Sequence, residues 1–253
     1  QEDLENNLGV IAKSGSLNFK QENEKKEDID IIGQFGVGFY SGFMVADRVK
    51  VVSRSYASDK TFVWESDGAE GYTVREAKPG EAKDSCGTDV VLSIKKDTEE
   101  EHYTDFLQEY RIRELIKKYS DYIRYPIKME VEKSVPKEGE EGKYETVKEI
   151  ETLNSLIPIW KKKKSEVTDE EMNDFYKNKF FDFKDPARVI RTSTEGAVSY
   201  QALLFIPAEV PFNYYSKDFE KGLSLYTNGV LIMDRCADLL PDYFSFVKGV
   251  VDT

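Results

Sequence analysis

Cysteine and histidine are scarce in this sequence, and their scarcity limits the chemistry that it can carry. Cys86 and Cys236 lie far apart, and neither belongs to a CxxC or Cys/His cluster, so no metal site is predicted. Two isolated cysteines are typical of reduced thiols in a cytosolic protein. His102 is the single histidine and lies among carboxylates, so we expect a surface residue and no Ser-His-Asp triad.

Long apolar runs and an excess of basic residues are also lacking. No stretch approaches the about 18 apolar residues that a membrane-spanning helix needs. The first residues carry neither the basic nor the apolar region of a secretory signal. The net charge of −12 argues against a nucleic-acid partner, because phosphate contacts require clustered Lys and Arg. We therefore expect a cytoplasmic protein that binds neither membranes nor nucleic acids.

A length of 253 residues favours two domains, and the composition suggests where they meet. Residues 134–150 are rich in charge and poor in core residues, so we expect a short charged linker there. Residues 1–133 then form the first domain, and residues 151–253 form the second. The sequence lacks an initial Met and opens within a patterned segment. We therefore expect a piece of a longer protein.

Local patterns predict the elements of the first domain. Apolar residues have helical spacing in residues 4–12 and alternate in residues 49–54, as in a strand. Asp67-Gly68 favours a tight turn between two strands, and residues 88–94 continue this antiparallel meander. Apolar residues then recur every three or four positions in residues 103–119, which predicts an amphipathic helix.

The second domain has equally local signals. Thr168 and Glu171 have the spacing of a capping box, which predicts the start of a helix. Residues 198–206 form an apolar strand pattern. Asn228-Gly229 is the strongest short hairpin signal, and it separates two further apolar segments. Pro241 suits the first position of a final helix that reaches Phe246.

The glycine-rich segment from Gly33 to Gly42 is the sharpest candidate for a binding site. Glycines at 33, 36 and 38 allow backbone N–H groups to converge on a phosphate without Cβ clashes, and a helix that begins near Phe39 would point its positive end there. The segment is neither a Walker A loop nor a persuasive dinucleotide-binding motif. A glycine-rich turn that only packs a helix closely is the alternative.

Longer motifs around this segment resemble the heat-shock protein 90 family of molecular chaperones. The resemblance covers nearly the whole chain, and the short linker is similar to that of bacterial members. The motifs are NNLGVIAKSG at 6–15, IGQFGVGFYSGFMVADRV at 32–49, WES at 64–66, GT at 87–88, KYS at 118–120, Trp160, FIP at 205–207, PF at 211–212 and FVKGVVD at 246–252.

The resemblance implies a fold and a cofactor. The first domain would be an incomplete two-layer α/β sandwich of the GHKL ATPase type (gyrase, histidine kinase, mismatch repair), and part of an α/β/α middle domain would follow. The overall class is α/β, or α+β. ATP, with Mg in the complete protein, would be the cofactor. Residues 8–32 would form a lid over the nucleotide. The cofactor-binding residues implied by the family are Asn7 and Lys13 at ribose or phosphate, Gln34, Gly36, Val37, Gly38 and Phe39 at the β- and γ-phosphates, and Thr88 in the water network around adenine.

The implied function is that of an ATP-dependent chaperone that remodels client proteins and forms a homodimer in the parent protein. The family's adenine-binding Asp, catalytic Glu, magnesium-binding Asn and phosphate-sensing Arg have no counterparts among these residues. We therefore assign no catalytic or metal-binding residue, and we expect ATPase activity of the parent protein but not of this chain alone. Another ATPase of the same nucleotide fold, and a non-catalytic fragment that binds clients or partners, are the alternatives.

Two surface features permit more than one interpretation. Lys161–Lys164 is a run of four lysines, typical of a solvated segment but also suited to an acidic client or partner. Phe212, Tyr214 and Tyr215 follow Pro211 and form either an exposed apolar patch or part of the core of the second domain.

Overall fold

The computed structural model describes residues 1–11, 32–33, 36–137, 143–196 and 199–253. These residues form two compact units, Gln1–Gln108 and Glu109–Thr253. Both combine strands with short helices, so the predicted mixed α/β class is confirmed. Within the described ranges, every helix is too short or too polar to cross a membrane.

The first unit is an antiparallel sheet with a short helix at its start. The strand order is β3-β2-β1-β4, with every pair antiparallel. The predicted meander is confirmed for β1, β2 and β3, but β4 pairs with β1 and does not continue the meander beside β3. The elements are α1 (Glu2–Leu8), a 3₁₀ turn (Gly38–Ser41), α2 (Gly42–Val45), β1 (Ala46–Arg54), β2 (Thr61–Ser66), β3 (Tyr72–Glu76), β4 (Gly87–Ile94) and a 3₁₀ turn (Tyr103–Leu107).

A hydrophobic cluster of the first unit lies on one face of this sheet. Val49 and Val51 of β1 are buried beside Trp64 of β2, which is the register partner of Val51. Leu4 and Leu8 of α1 pack against this cluster, as their helical spacing predicts. The helix is therefore held on the sheet by its apolar side.

An ionic network occupies the other face of the sheet. Glu81 accepts hydrogen bonds from the Arg75 guanidinium at 2.6 and 3.0 Å and from Lys50 Nζ at 2.7 Å. The backbone N–H of Lys78 donates a further bond to the Glu81 carboxylate at 3.1 Å. Arg75 first, then Lys50, holds the pKa of Glu81 well below its ordinary value. One carboxylate thus connects β1, β3 and the turn that follows β3.

Replacing Glu81 with Gln is expected to reduce the loss of stability that the first unit shows as the pH falls into the acid range. A lowered pKa means that the carboxylate stabilises the fold above its ordinary pKa of 4.5, and that this contribution is lost as the pH falls toward the lower, folded-state value. The slope of the unfolding temperature against pH, measured between about pH 6 and pH 3, tests this prediction. Glu76→Gln, which removes a more exposed surface pair with Lys60, is the matched control and should leave the slope unchanged.

The second unit contains a five-stranded mixed sheet and a separate hairpin. The sheet order is β10-β9-β11-β8-β7, with β11 parallel to β9 and the other pairs antiparallel. The elements are α3 (Glu109–Leu115), a π-helical turn (Ile116–Ser120), β5 (Lys128–Pro136), β6 (Tyr144–Thr152), a 3₁₀ turn (Lys164–Glu166), α4 (Asp169–Phe180), β7 (Arg188–Thr194), β8 (Tyr200–Ile206), β9 (Leu223–Thr227), β10 (Val230–Cys236), 3₁₀ turns (Ala237–Leu239 and Asp242–Phe244) and β11 (Lys248–Asp252).

Helix α4 packs its apolar side on this sheet. The capping box is confirmed, because the Glu171 backbone N–H donates to Thr168 Oγ1 at 3.2 Å and the Thr168 backbone N–H donates to the Glu171 carboxylate at 2.8 Å. Tyr176 is fully buried against Phe205 of β8, with ring centroids 5.1 Å apart. Trp160 joins the same core from the segment that precedes α4.

The expectation of a linker at residues 134–150 needs correction. β5 continues to Pro136 and β6 begins at Tyr144, so most of this range is a β-hairpin. Its strands carry charges that pair across the hairpin, as Lys148 does with Glu130 at 2.8 Å. The prediction of a linker was wrong because these strands are as rich in charged residues as a linker is. The compact units divide earlier, between Gln108 and Glu109, and the assignment of domains to residues 1–133 and 151–253 stays a prediction.

Two predicted helices are also shorter than expected. The segment 103–119 is interrupted at Gln108, whose backbone is extended (ψ 130°), so a 3₁₀ turn, α3 and the π-helical turn replace one helix. After Pro241 only the 3₁₀ turn Asp242–Phe244 forms. Neither the apolar spacing of residues 103–119 nor the proline at 241 fixed the length of the helix, because neighbouring elements decide where a helix ends.

Candidate functional site

A cleft of about 500 Å³ opens in the first unit between α1 and the sheet. Its walls combine apolar side chains with hydroxyl and amide groups, and the charged residues are few. The lining residues are Gln1, Asp3, Leu4, Asn7, Leu8, Phe39, Val51, Ser53, Ser55, Ser58, Lys60, Phe62, Thr88 and Val90. This volume lies in the range of about 300–1,000 Å³ that small-molecule sites occupy.

Helix α1 forms one wall, and a hydrogen bond fixes its end. Tyr40 Oη donates to the backbone carbonyl oxygen of Leu8 at 2.7 Å, a contact that joins the helix to the end of the glycine-rich segment. Burial, and then the neighbouring Tyr72, raises the pKa of the Tyr40 hydroxyl, so it stays a donor at neutral pH. With Leu4 and Leu8 packed on the core, Asn7 lies at the cleft.

Phe39 forms the aromatic part of the cleft. Its ring meets Trp64 edge-on with centroids 5.4 Å apart, and it meets Tyr40 in the same way at 5.5 Å. Trp64 is itself stacked on Tyr72, with centroids 5.8 Å apart. These contacts hold the Phe39 ring in place, because edge-on aromatic pairs add stabilisation beyond their buried area.

The opposite wall comes from two neighbouring strands. Ser53 of β1 and Thr88 of β4 are register partners, and their hydroxyl oxygens lie 2.8 Å apart. Val51 and Val90 form the next pair on the same face and supply an apolar surface. A hydroxyl pair therefore stands beside an apolar strip, which suits a flat ligand with polar edges.

Formal charge in the cleft is limited. Lys60 lies at the rim and pairs with Glu76 at 3.0 Å, and Asp3 is the acidic residue of the lining. Within the ranges that the structure describes, no group of three or more His, Cys, Asp or Glu is arranged to hold a metal ion. The cleft is therefore suited to a mostly neutral group rather than to a dense anion.

The structure brings some of the predicted site residues together. Asn7, Phe39 and Thr88 line the same cleft, although they come from a helix, a turn and a strand. Gly36, Val37 and Gly38 are not part of its lining. Lys13 and Gln34 lie outside the described residues.

Ser53 and Lys60 line the cleft but were not predicted as site residues. A signal for Ser53 was present, because its alternation with Val49 and Val51 places all three on one face of β1. Lys60 follows β1 in a turn, where no periodic pattern could indicate its direction.

The glycines of the glycine-rich segment differ in backbone conformation and in surroundings. Gly36 has φ 65°, a left-handed conformation that favours glycine. At Gly33 and Gly38 an added Cβ would meet no atom of the described residues within 4 Å, so packing against those residues does not require glycine there, and the predicted approach to a phosphate stays a prediction. The expected helix is present as the 3₁₀ turn Gly38–Ser41 followed directly by α2.

The fold and the cleft define a mixed α/β protein whose first unit has a cleft of small-molecule size. The family model "Hsp90 protein" matches residues 105–146 and 137–253. Proteins described as chaperone protein HtpG from Clostridium perfringens, Bacillus licheniformis and Bacillus subtilis (strain 168) are 55%, 58% and 56% identical to the chain over 253 residues.

The chain belongs to the Hsp90 family, since the family model matches more than half of it. Each of these three alignments covers 100% of this chain but 40% of the relative. The chain thus spans well under half the length of the relatives that it matches.

Proposed function

We propose that the cleft of the first unit binds the nucleoside part of ATP, in an Hsp90-family protein that acts as an ATP-dependent molecular chaperone. The main support for this proposal is that Asn7, Phe39 and Thr88 line the same cleft. The family resemblance implies a nucleotide contact for each of them, and they lie far apart in the sequence.

The chemistry of the cleft fits a nucleoside. A purine ring is flat and largely apolar, which suits the surface made by Phe39, Val51 and Val90. The edges of the ring and the ribose hydroxyls need hydrogen-bond partners, and the Ser53–Thr88 hydroxyl pair supplies donors and acceptors. Asn7 offers an amide with both functions on the opposite wall.

The phosphates would extend toward the glycine-rich segment. Tyr40 joins this segment to α1, and Phe39 lies both in the cleft and in the turn that begins at Gly38. By family resemblance we assign Gln34, Gly36, Val37 and Gly38 to the phosphates, and Lys13 to ribose or phosphate. Lys60 is the lysine within the cleft itself. Magnesium belongs to the same proposal, and we assign no ligand to it.

The chaperone role rests on family membership and on the names of the relatives. In this proposal nucleotide binding closes residues 8–32 as a lid, and ATP hydrolysis drives a cycle that remodels client proteins. The first unit would be part of a GHKL-type sandwich, and the second would be part of an α/β/α middle domain. The parent protein, in this proposal, is a homodimer in the cytoplasm. Without its partner domains, this chain would bind nucleotide but not turn it over.

Calorimetric titration with ADP and ATP tests the binding step. We expect Thr88→Val and Asn7→Ala each to weaken the affinity by about tenfold, because each removes one or two hydrogen bonds worth about 1 kcal/mol apiece. Thr73→Val on the exposed strand β3 is the matched control and should bind as the unaltered chain does. A folded chain that gives no saturable heat would favour the alternative, a non-catalytic fragment that binds clients or partners.

A further inference from the structure

A second cavity, of about 240 Å³, lies in the second unit beside β7 and β8. Four of its lining side chains are cationic and none is a carboxylate, although the chain as a whole carries a net charge of −12. The lining residues are Trp160, Lys161, Lys162, Lys164, Arg191, Thr192, Ser193, Gln201 and Ala202. This local excess of positive charge points to an anionic ligand.

Arg191 supplies the strongest argument for a ligand. Its Nη2 donates to the backbone carbonyl oxygen of Trp160 at 3.3 Å and to that of Lys162. Its Nη1 is buried and has no hydrogen-bond partner in the described part of the chain. Both acceptors are neutral, so among the residues that the structure describes the guanidinium has neither a counter-ion nor a full set of hydrogen bonds. Burying such a group is costly unless an acceptor is supplied.

The lysines add charge that the described residues neutralise only in part. Lys161 pairs with Asp252 at 2.9 Å. Lys162 and Lys164 make no salt bridge with any residue that the structure describes. The charge of Lys162 contributes to the lowered pKa of Glu171, but hydrogen bonds from Thr168 are the main cause of that shift. Two lysines therefore remain available to an anion at the cavity.

The remaining polar groups indicate which anion fits. The Oε1 atom of Gln201 is buried and accepts no hydrogen bond within the described ranges. Ser193 lies on the same face of β7 as Arg191 and is the register partner of Gln201, so its hydroxyl group is on the side of the cavity. A monohydrogen phosphate or a protonated phosphate monoester offers oxygen acceptors to Arg191 and one O–H donor to Gln201. A carboxylate at neutral pH has no such donor.

We propose that this cavity is a binding site for a small oxyanion of the phosphate class, held by Arg191, Lys162 and Lys164. The source is either free phosphate or the phosphoryl group of a small phosphorylated molecule. Arg191 holds the anion through its free Nη1–H, and the lysines attract it from the rim. The backbone carbonyls at Trp160 and Lys162 keep the guanidinium in place.

Titration of the ¹⁵N-tryptophan-labelled chain with inorganic phosphate tests this site. The indole N–H of Trp160 donates to Asp252 at 3.0 Å beside the cavity, whereas Trp64 lies in the other unit and serves as an internal reference. We expect a saturable shift of the Trp160 indole signal only. Arg191→Gln should weaken phosphate binding at least tenfold, and the Lys162→Gln/Lys164→Gln double variant should weaken it several-fold.

Arg188→Gln, with the same loss of charge on the same strand but outside the cavity, should leave phosphate binding unchanged. Phosphoserine binding more tightly than phosphate would identify a phosphoryl group as the natural ligand, and the reverse order would identify the free ion. Acetate should bind at least tenfold more weakly. A Trp160 shift that sodium chloride reproduces at equal ionic strength, or that has the same phosphate midpoint in the Arg191→Gln and Lys162→Gln/Lys164→Gln variants as in the unaltered chain, would overturn the proposal.

Discussion

Gly229→Ala is expected to destabilise the second unit by about 2–4 kcal/mol. Asn228 and Gly229 have φ values of 51° and 79°, the positive pair that a tight hairpin turn between β9 and β10 requires. A Cβ at Gly229 would also lie 2.0 Å from the backbone carbonyl oxygen of Tyr122. The substitution therefore combines an unfavourable backbone conformation with a backbone clash that no side-chain rotation relieves.

Urea denaturation followed by ¹⁹F-tryptophan NMR measures this effect, because Trp160 reports on the second unit and Trp64 on the first. Asn228→Gly is the matched control in the same turn and should change stability little, since glycine adopts a positive φ readily. Gly229→Asn separates the two causes, because asparagine tolerates the left-handed region but still carries a Cβ. If Gly229→Asn were as stable as the unaltered chain, the clash with Tyr122 would be refuted.

Asp252→Ala is expected to cost the second unit about 2–4 kcal/mol as well. The Asp252 carboxylate is buried, accepts a hydrogen bond from Trp160 Nε1 at 3.0 Å, and pairs with Lys161 at 2.9 Å. Removing it leaves the buried indole N–H without an acceptor and Lys161 without its counter-ion. The cost is below that of a fully buried ion pair, because the Lys161 side chain is 36% exposed.

Asp252→Asn divides this effect into its two parts. The amide oxygen still accepts from Trp160, so we expect a loss of roughly half the Asp252→Ala value. Asp242→Ala, which removes an exposed carboxylate paired with Lys221, is the matched control and should leave the urea midpoint unchanged. Equal losses for Asp252→Ala and Asp252→Asn would show that the indole hydrogen bond contributes nothing to stability.

The sequence predicted those parts of the fold that depend on near neighbours. The Thr168–Glu171 capping box and the hairpin at Asn228-Gly229 were both confirmed. They could be predicted because the residues that form each of them lie within four positions of one another. The placement of β11 between β9 and β8 could not be predicted, since pairing across long separations depends on the assembled core. Apolar alternation at Ile127, Met129 and Val131 predicted a strand that β5 confirms, whereas β6 was missed because it pairs with β5 through charged side chains and lacks such an alternation.

The candidate site was predictable only in part. Family resemblance implied roles for Asn7, Phe39 and Thr88, and no periodic pattern linked these positions to one another. Their meeting depends on the pairing of β4 with β1 and on the hydrogen bond from Tyr40 to Leu8, which closes a separation of 32 residues. Side-chain identity thus indicated the chemistry, while strand register determined which residues share the cleft.

Photo-crosslinking of the chain with an azido-adenine nucleotide tests the nucleotide cleft most directly. We expect attachment of the label to peptides that carry α1 or the β1 and β4 residues of the cleft. Excess ATP should prevent this labelling, and Thr88→Val should reduce it while Thr73→Val does not. Labelling that excess ATP leaves unchanged, or that falls only within residues 109–253, would contradict the assignment of a nucleotide to this cleft.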